Sequence, residues 1–448
     1  MRVSIVGTGY VGLVSGVCLA SIGHNVVCVD KDVRKVEAIK KGVPPIHEKS
    51  LEALLKEHLN KGFNITTNLE QAINQSDITI IAVGTPFDGR TIDLSYIKNV
   101  SIDIGKILKN KSSFHTVVVK STVIPGTTDN LVKETIQKHS GLSAGNEFGL
   151  GMNPEFLREG EAIQDFIEPD RIVIGGIDKN SQDIIGKLYS LFEERGVDML
   201  YVNNSTAEMI KYTSNSFLAM LISFSNEISN ICDKLDSVNA LKVMEGLHLD
   251  GRVSPIVESK RIVPGSVSYL RPGCGFGGSC FPKDVKALSA FSDKLSLDSR
   301  ILKSIIKVNE DQPNVIIDKL YLHYNKLDSL KIGVLGLSFK PETDDVRESP
   351  SITIIKKLLS LKSIVHAYDP EAINEASKIL PKDNITFHNN VESVVLVSDV
   401  ILVLTSWGQF KDLPKIIERN GRDILVIDGR GFYDPTLFKK YEGIGYNP

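Results

Sequence analysis

The chain has 448 residues, 42% of them hydrophobic and 24% charged, with a formal net charge of −3. That balance is globular, with room for more than one core, and it excludes a chain built to coat nucleic acid or a basic membrane surface. No apolar run approaches the ~18 residues of a membrane span, and no charged leader with an apolar core precedes the first strand, so a cytoplasmic protein with no membrane partner is expected. The five cysteines (Cys18, Cys28, Cys232, Cys274, Cys280) are odd in number and scattered, without a CxxC pair. Neither a disulfide framework nor a metal site is expected from such spacing.

In chain order, Arg2–Val6 reads as a strand, then a glycine cluster, then a helix over residues 11–22 that Gly23 ends. Asn25–Val29 reads as a second strand ending at Asp30, so the chain opens on a βαβ unit. The alternation continues with a strand at 78–83, a helix at 95–109 and strands at 116–120, 149–152 and 171–174. From 206 to 235 the pattern is helical, with few Gly and no Pro. A Gly/Pro-rich stretch at 264–282 interrupts it, helical pattern resumes over 285–309, and Pro313 lies near its end. At Lys331 the chain starts over: a strand runs into Gly336, another over 364–368 ends at Asp369, and Ser398-Asp399 precedes a strand at 400–404 much as Ser76-Asp77 precedes 78–83. The expected architecture is α/β, with two Rossmann-like doubly wound domains joined by a central all-helical domain with a long helix. The expected domains are 1–203, 204–312 and 313–448.

Gly7, Gly9 and Gly12 form GxGxxG between a strand and a helix. The first glycine permits the tight turn, the second lets backbone approach a pyrophosphate, and the third permits close helix–strand packing. Asp30 stands at the ~20-residue offset where a carboxylate accepts from the ribose hydroxyls. A carboxylate there repels a 2′-phosphate, so NAD is favoured over NADP. Gly84-Thr85-Pro86 and Ser121-Thr122-Val123 each follow a strand; either is a cofactor edge or plain loop punctuation.

In Gly275-Phe276-Gly277-Gly278-Ser279-Cys280-Phe281-Pro282-Lys283-Asp284, the three glycines let backbone come close to a ligand. Cys280 sits beside Lys283 and before a helix expected to begin near Asp284, with Asp284 as its cap; both features lower a thiol pKa. An isolated Cys is more often inert, and the other four are read that way. Glu208, Lys211 and Asn215 lie on one helical stretch, Lys211 and Asn215 four apart on one face, and the apolar neighbours suggest a buried, poised Lys211. Residues 153–159 combine two acids with an arginine after a strand.

Seven segments, in chain order, resemble the UDP-glucose/GDP-mannose dehydrogenase family: GTGYVG at 7–12, VGTP at 83–86, STVIPGT at 121–127, NPEFLREG at 153–160, EMIKYTSN at 208–215, GFGGSCFPKD at 275–284 and FKPETDDVRESP at 339–350. The resemblance implies an NAD-dependent enzyme that oxidises the C6 alcohol of a nucleotide sugar twice, to the carboxylate, through a thioester on Cys280. Lys211 and Asn215 would hold the C6 oxygen as an oxyanion hole does. Asp284 would polarise the water that takes the alcohol proton, and Thr122 and Glu155 would position the hydrolytic water, with Glu155 as base. Implied cofactor contacts are Gly7, Gly9, Tyr10, Val11, Gly12, Asp30, Lys35, Gly84, Thr85, Pro86, Ser121, Thr122, Glu159, Lys283 and Arg347. Implied substrate contacts are Glu155, Phe156, Leu157, Arg158, Glu159, Lys211, Asn215, Tyr269, Arg271, Gly273, Phe276, Gly277 and Lys340, with Arg252 reaching a neighbouring subunit's sugar. The resemblance also implies a homodimer or larger assembly on the long central helix, and a polysaccharide or glycan precursor as destination.

The sugar stays open between two. GGSCFPKD resembles the UDP-glucose branch, and Ser279, where enzymes of 2-acetamido sugars usually carry His, argues against those sugars. Residues 268–273, 331–340 and 148–159 resemble the GDP-mannose branch instead. UDP-glucose is placed first. A single-step alcohol dehydrogenase and a non-catalytic nucleotide-sugar binder are the remaining alternatives, the latter disfavoured by the presence of Cys280, Lys211 and Glu155.

Overall fold

The structure is a computed structural model and describes residues 1–446. It divides into two compact units, Met1–Ser214 and the chain from Asn215 onward.

The strands of the first unit are β1 (Arg2–Val6), β2 (Asn25–Val29), β3 (Phe63–Thr66), β4 (Ile78–Ile81), β5 (Thr116–Val119), β6 (Gly149–Met152), β7 (Arg171–Gly176) and β8 (Asp198–Val202). They lie in the order β3-β2-β1-β4-β5-β6-β7-β8. Pairing is parallel from β3 through β6, antiparallel between β6 and β7, and parallel again between β7 and β8. The first six strands have the doubly wound order in which ligands bind beyond the carboxyl ends. Helices cover both faces, so strands such as β4 and β5 are buried at every residue and read as unbroken apolar runs. Ile78 and Ile80 point into one core, Ile81, Val117 and Val119 into the other.

In the second unit a short hairpin, β9 (Ile256–Val257) with β10 (Lys260–Arg261), precedes a six-stranded sheet. Its strands are β11 (Lys331–Leu335), β12 (Ile364–Tyr368), β13 (Ile385–Phe387), β14 (Val400–Val403), β15 (Leu425–Asp428) and β16 (Tyr441–Gly443), all parallel in the order β13-β12-β11-β14-β15-β16. This is the same doubly wound order, and the expected repeat extends to register. Val3 pairs with Ile78 as Ile332 pairs with Val400. Asp77 N–H donates to the Arg2 carbonyl at 2.9 Å, as Asp399 N–H does to that of Lys331 at 2.7 Å. The mixed α/β class with two Rossmann-like sheets and a helical stretch between them is as expected.

One difference between the two sheets is chemical. Asp369, at the end of β12, occupies the place that Asp30 holds at the end of β2. Its Oδ2 accepts from Leu337 N–H at 2.7 Å, Ser338 N–H and Oγ at 3.1 Å, and Trp407 Nε1 at 3.1 Å. Its Oδ1 accepts from the Glu371 and Ala372 N–H groups, and the residue is 1% exposed.

The helical stretch departs from expectation in two places. The long helix spans Asn204–Cys232. The pattern over 285–309 is two helices, Phe281–Lys294 and Arg300–Asp311, broken where Ser296 takes a φ of 59°. Apolar spacing on either side conceals a break made by backbone conformation. Pro313 begins a helix, Pro313–His323, at the position where a missing N–H costs nothing.

Candidate active site

The helix Tyr10–Ser21 begins at Gly9, which offers no side-chain cap, so its first N–H groups carry no intrahelical acceptor. Gly7 has a φ of +101°, and a Cβ on Gly12 would lie 2.0 Å from the Gly7 carbonyl oxygen. Both glycines serve turn and packing. A Cβ on Gly9 or Gly84 would meet nothing within 4 Å, so open space faces the helix N-terminus there. Val11 follows on that first turn. Asp30 Oδ2 accepts from Thr8 N–H at 3.0 Å and Thr8 Oγ1 at 2.6 Å, and its Oδ1 from Asp32 N–H at 3.0 Å. Burial alone would raise the Asp30 pKa, but these bonds and the Lys35 charge bring it below its usual value. A helix N-terminus without a side-chain cap, approachable glycines and a carboxylate held below its usual pKa fit NAD.

The two loops left open by the sequence are tied to one another. Ser121 Oγ donates to the Val83 carbonyl at 2.7 Å, and Thr85 Oγ1 to the Thr122 carbonyl at 2.7 Å. These bonds join Gly84-Thr85-Pro86 to Ser121-Thr122 across the carboxyl ends of β4 and β5. Tyr10 does more than expected of it. Its hydroxyl bonds the Glu48 carboxylate and accepts from Gly160 N–H at 2.9 Å, while Glu48 also accepts from Gly160 and Ala162 N–H groups at 2.7 and 3.0 Å. Glu48 lies outside any periodic stretch, and no local signal marks it.

Glu155 and Lys211 form a buried ion pair at 3.0 Å, with side chains 5% and 4% exposed. Burial alone would push the Glu155 carboxyl up. The Lys211 charge and hydrogen bond, the Leu157 N–H at 2.7 Å and the Lys120 charge outweigh it and hold the carboxyl below its ordinary range. Lys120 was not anticipated: it is buried at the end of β5, donates to Asn153 Oδ1 at 2.9 Å, and burial lowers its pKa to about 8. Phe156 stacks beneath Arg171, 4.0 Å from ring centroid to guanidinium, with Lys211 Nζ 5.4 Å away. Arg158 pairs with Asp165 at 2.6 Å and Glu161 at 2.8 Å. Glu159 is half-buried beside it.

Glu208, on the same helix as Lys211, is fully buried and accepts from Gly126 N–H at 2.6 Å, Thr128 N–H at 2.8 Å and Thr128 Oγ1 at 2.6 Å. It thereby anchors the loop that follows Ser121 and Thr122. Burial raises its pKa to about 7, with Asp129 adding to the rise and the Thr128 and Gly126 bonds opposing it. A folded pKa above the unfolded value of about 4.5 contributes stability at low pH that is lost as pH rises through about 7. Replacing Glu208 with glutamine removes that dependence. The Tm of Glu208→Gln relative to the parent is expected to climb between pH 5 and pH 8, by the equivalent of roughly 3 kcal/mol. A gap constant across that range would show that this carboxyl does not titrate there.

In the second unit, Cys280 is itself the N-cap of the helix Phe281–Lys294, which begins three residues earlier than expected. Asp284 is therefore not the cap. It lies in the first turn, 1% exposed, bonded by Lys283 Nζ and by Asn215 Nδ2 at 2.6 Å. A cap would accept from the N–H groups of its own helix; this carboxylate instead accepts from the Asn215 and Lys283 side chains. Ser279 Oγ lies 3.5 Å from the Cys280 sulfur. Cys18, Cys28, Cys232 and Cys274 are buried, and Cys280 alone of the five is partly exposed.

The glycines of this loop also act differently from expectation. A Cβ on Gly277 would lie 2.4 Å from the Glu348 carbonyl oxygen, and one on Gly278 2.9 Å from the Phe339 ring. Their close approach is to the segment 339–350, not to open space. Gly278 N–H donates to the Arg347 carbonyl at 2.8 Å, so the two signature segments are docked on one another. Arg347 itself pairs bidentately with Asp345, and half-buried Lys340 follows Phe339. Arg271 donates to the Gly431 carbonyl, and the Tyr269 ring lies 6.1 Å from that of Phe281. Arg252 is exposed and pairs with Asp250 in its own loop at 2.6 Å. Arg430, which the sequence did not single out, donates to the carbonyls of Leu404 at 2.7 Å and Gly275 at 3.1 Å.

Among the described residues no group of three or more His, Cys, Asp or Glu is placed to hold a metal ion, and no helix is long and apolar enough to cross a membrane. A doubly wound sheet with this glycine turn, ribose-side carboxylate and uncapped helix N-terminus defines a dinucleotide-binding protein. Residues 1–193 match the NAD binding domain of the UDP-glucose/GDP-mannose dehydrogenase family, 205–311 its central domain and 333–435 its UDP binding domain. The chain is 39% identical, over 97% of its length and 94% of the relative's, to the UDP-glucose 6-dehydrogenase YwqF of Bacillus subtilis. A solved UDP-glucose dehydrogenase from Pyrobaculum islandicum superposes with a TM-score of 0.87 at 36% identity, covering 99% of this chain and 97% of that one. A solved ternary complex of GDP-mannose dehydrogenase from Pseudomonas aeruginosa, also 36% identical and covering all of both chains, superposes at 0.54. The chain belongs to the UDP-glucose/GDP-mannose dehydrogenase family and is an NAD-dependent, nucleotide-sugar-binding dehydrogenase.

Proposed function

We propose that the protein oxidises C6 of UDP-glucose to the carboxylate, giving UDP-glucuronate, through a thioester on Cys280. The observation that supports the sugar is the 39% identity, over nearly the whole of both chains, to the Bacillus subtilis enzyme named UDP-glucose 6-dehydrogenase. The domain roles follow the division 1–203 for the cofactor, 204–312 for assembly and 313–448 for the nucleotide sugar.

Bound NAD supplies the hydride acceptor for each of the two oxidations, held by the glycine turn, Asp30 and the Thr85 and Ser121 loops. Lys211 Nζ and Asn215 Nδ2 donate to the C6 oxygen and stabilise negative charge on it. Asp284 polarises a water that takes the hydroxyl proton as the alcohol becomes aldehyde. The Cys280 sulfur then adds to the aldehyde carbon, forming a C–S bond, and loss of the second C6 hydrogen as hydride converts this adduct to the thioester. A water held by Thr122 and deprotonated by Glu155 attacks the acyl carbon; the C–S bond breaks and the thiolate is restored. The Lys211 and Lys120 charges hold the Glu155 carboxyl below its ordinary range, which leaves it in the proton-accepting form.

The assembly is a homodimer on the helix Asn204–Cys232. Phe217, Phe224 and Ile231 recur every seven residues along it and are 48, 48 and 54% exposed, an apolar stripe of the kind that packs against a second helix.

The test is to run the purified protein to completion with excess NAD and limiting UDP-glucose or GDP-mannose. Two NADH per UDP-glucose is the expected yield. Two from GDP-mannose alone would keep the chemistry and replace the sugar. One per sugar would eliminate the thioester.

A further inference from the structure

Residues 273–278 form neither helix nor strand, so their backbone groups must find partners elsewhere. Amide side chains supply them: buried Asn226 and Gln312, and half-buried Asn309. Asn226 Oδ1 accepts from Gly273 N–H at 2.8 Å, and Gln312 Nε2 donates to the Gly273 carbonyl at 2.9 Å. Asn309 takes both sides of Phe276: its Oδ1 accepts from the N–H at 2.7 Å and its Nδ2 donates to the carbonyl at 3.0 Å. A neighbouring strand makes that pair of bonds in a sheet; here one side chain makes both. Asn226 and Gln312 are 0% exposed, and Asn230 Nδ2 fixes Gln312 through its Oε1 at 3.0 Å. Gly275, at a φ of +106°, leaves room for the clamp, since a Cβ there would lie 3.0 Å from Asn309 Oδ1.

Phe276 is also wedged against Ala219, Val285 and Ile305, so its peptide is fixed by hydrogen bonds and its ring by packing. The family resemblance implies Gly273, Phe276 and Gly277 as substrate contacts, and Cys280, the nucleophile of the function proposed above, follows four residues after Phe276. A displacement of ~1 Å at a residue that orients substrate is enough to cost about 100-fold in rate. We propose that Asn309 is a positioning residue for the nucleotide sugar: its amide fixes the Phe276 peptide and, with Asn226 and Gln312, sets the backbone of residues 273–277 that receives the substrate. Asn309 does not itself touch the reacting atoms.

This rests on the proposed function, and its test is arranged so that the two fail separately. Equilibrium binding of UDP-glucose and of NAD is measured independently on the full-length parent, Asn309→Leu and Asn309→Gln, with the Tm of each. Leucine has similar bulk and neither bond; glutamine carries the same donor and acceptor on one more methylene. The expected result is sugar affinity tenfold or more weaker in Asn309→Leu, NAD affinity within twofold of the parent, and Asn309→Gln between the two. Unchanged sugar binding in Asn309→Leu, equal weakening for both ligands, or no recovery in Asn309→Gln would overturn the proposal. Should the parent bind GDP-mannose and not UDP-glucose, the sugar assignment fails, and the same comparison is made with GDP-mannose as the probe.

Discussion

Replacing Cys280 with alanine is expected to lower complete oxidation by about 10⁴-fold or more, the scale seen when a covalent nucleophile is removed. The expectation depends on which thiol is available. Burial raises the pKa of Cys18 to about 12 and also raises those of Cys28, Cys232 and Cys274, which keeps them protonated and inert. Cys280 is partly exposed and stands at the N-cap of a helix. Without that sulfur the aldehyde has nothing to bond to, and NADH release should stop at or below one per sugar. Cys274→Ala is the matched control, six residues away and fully buried. Complete two-step oxidation by Cys280→Ala at near-parental rate would end the thioester mechanism.

The second large effect concerns the Lys211–Glu155 pair. Removing one member of a buried pair typically destabilises by about 3–5 kcal/mol, because the other charge is left uncompensated. Lys211→Met is therefore expected to lower Tm and to reduce kcat/KM by about 10²–10³-fold, the usual loss of one oxyanion donor. The pH signature has a definite sign. Glu155 is held below its ordinary pKa, so it stabilises the fold above the unfolded pKa of about 4.5, and that contribution is lost as pH falls through the folded value. Without Lys211 the carboxyl rises, and the acidic limb of the activity profile should shift to higher pH. The double variant Lys211→Met with Glu155→Gln should recover Tm without recovering activity. If adding Glu155→Gln gives no relief in Tm, the pair is not the source of the loss.

Much of this was legible in the sequence because it is local. The Gly7–Gly12 turn, Asp30 at its strand end and the apolar runs of β4 and β5 each declare themselves within a few residues. The second sheet was visible because its register repeats that of the first. Partners distant in sequence were not. Gly277 and Gly278 looked made for a ligand, whereas their closeness is to Glu348 and Phe339, some seventy and sixty residues on. Asp284 looked like a cap from its place in a short motif, but Asn215 draws it inside. Glu48, Lys120, Asn309 and Arg430 act through long-range bonds that leave no periodic trace. The break at Ser296 is likewise invisible, since apolar spacing resumes beyond it.

Asp369 carries a last consequence. The two sheets share one strand order, yet Asp369 is 1% exposed with Trp407 and the loop amides on its oxygens, whereas Asp30 stays partly exposed. Among the described residues the ribose-side place is thus open in one sheet and closed in the other, while the proposed task removes two hydrides from the same carbon. On that reading each sugar waits through one change of cofactor with its chemistry half done. A bond to the Cys280 sulfur would make that wait safe, turning an aldehyde that would diffuse away into a passenger that cannot leave until the second oxidation is complete.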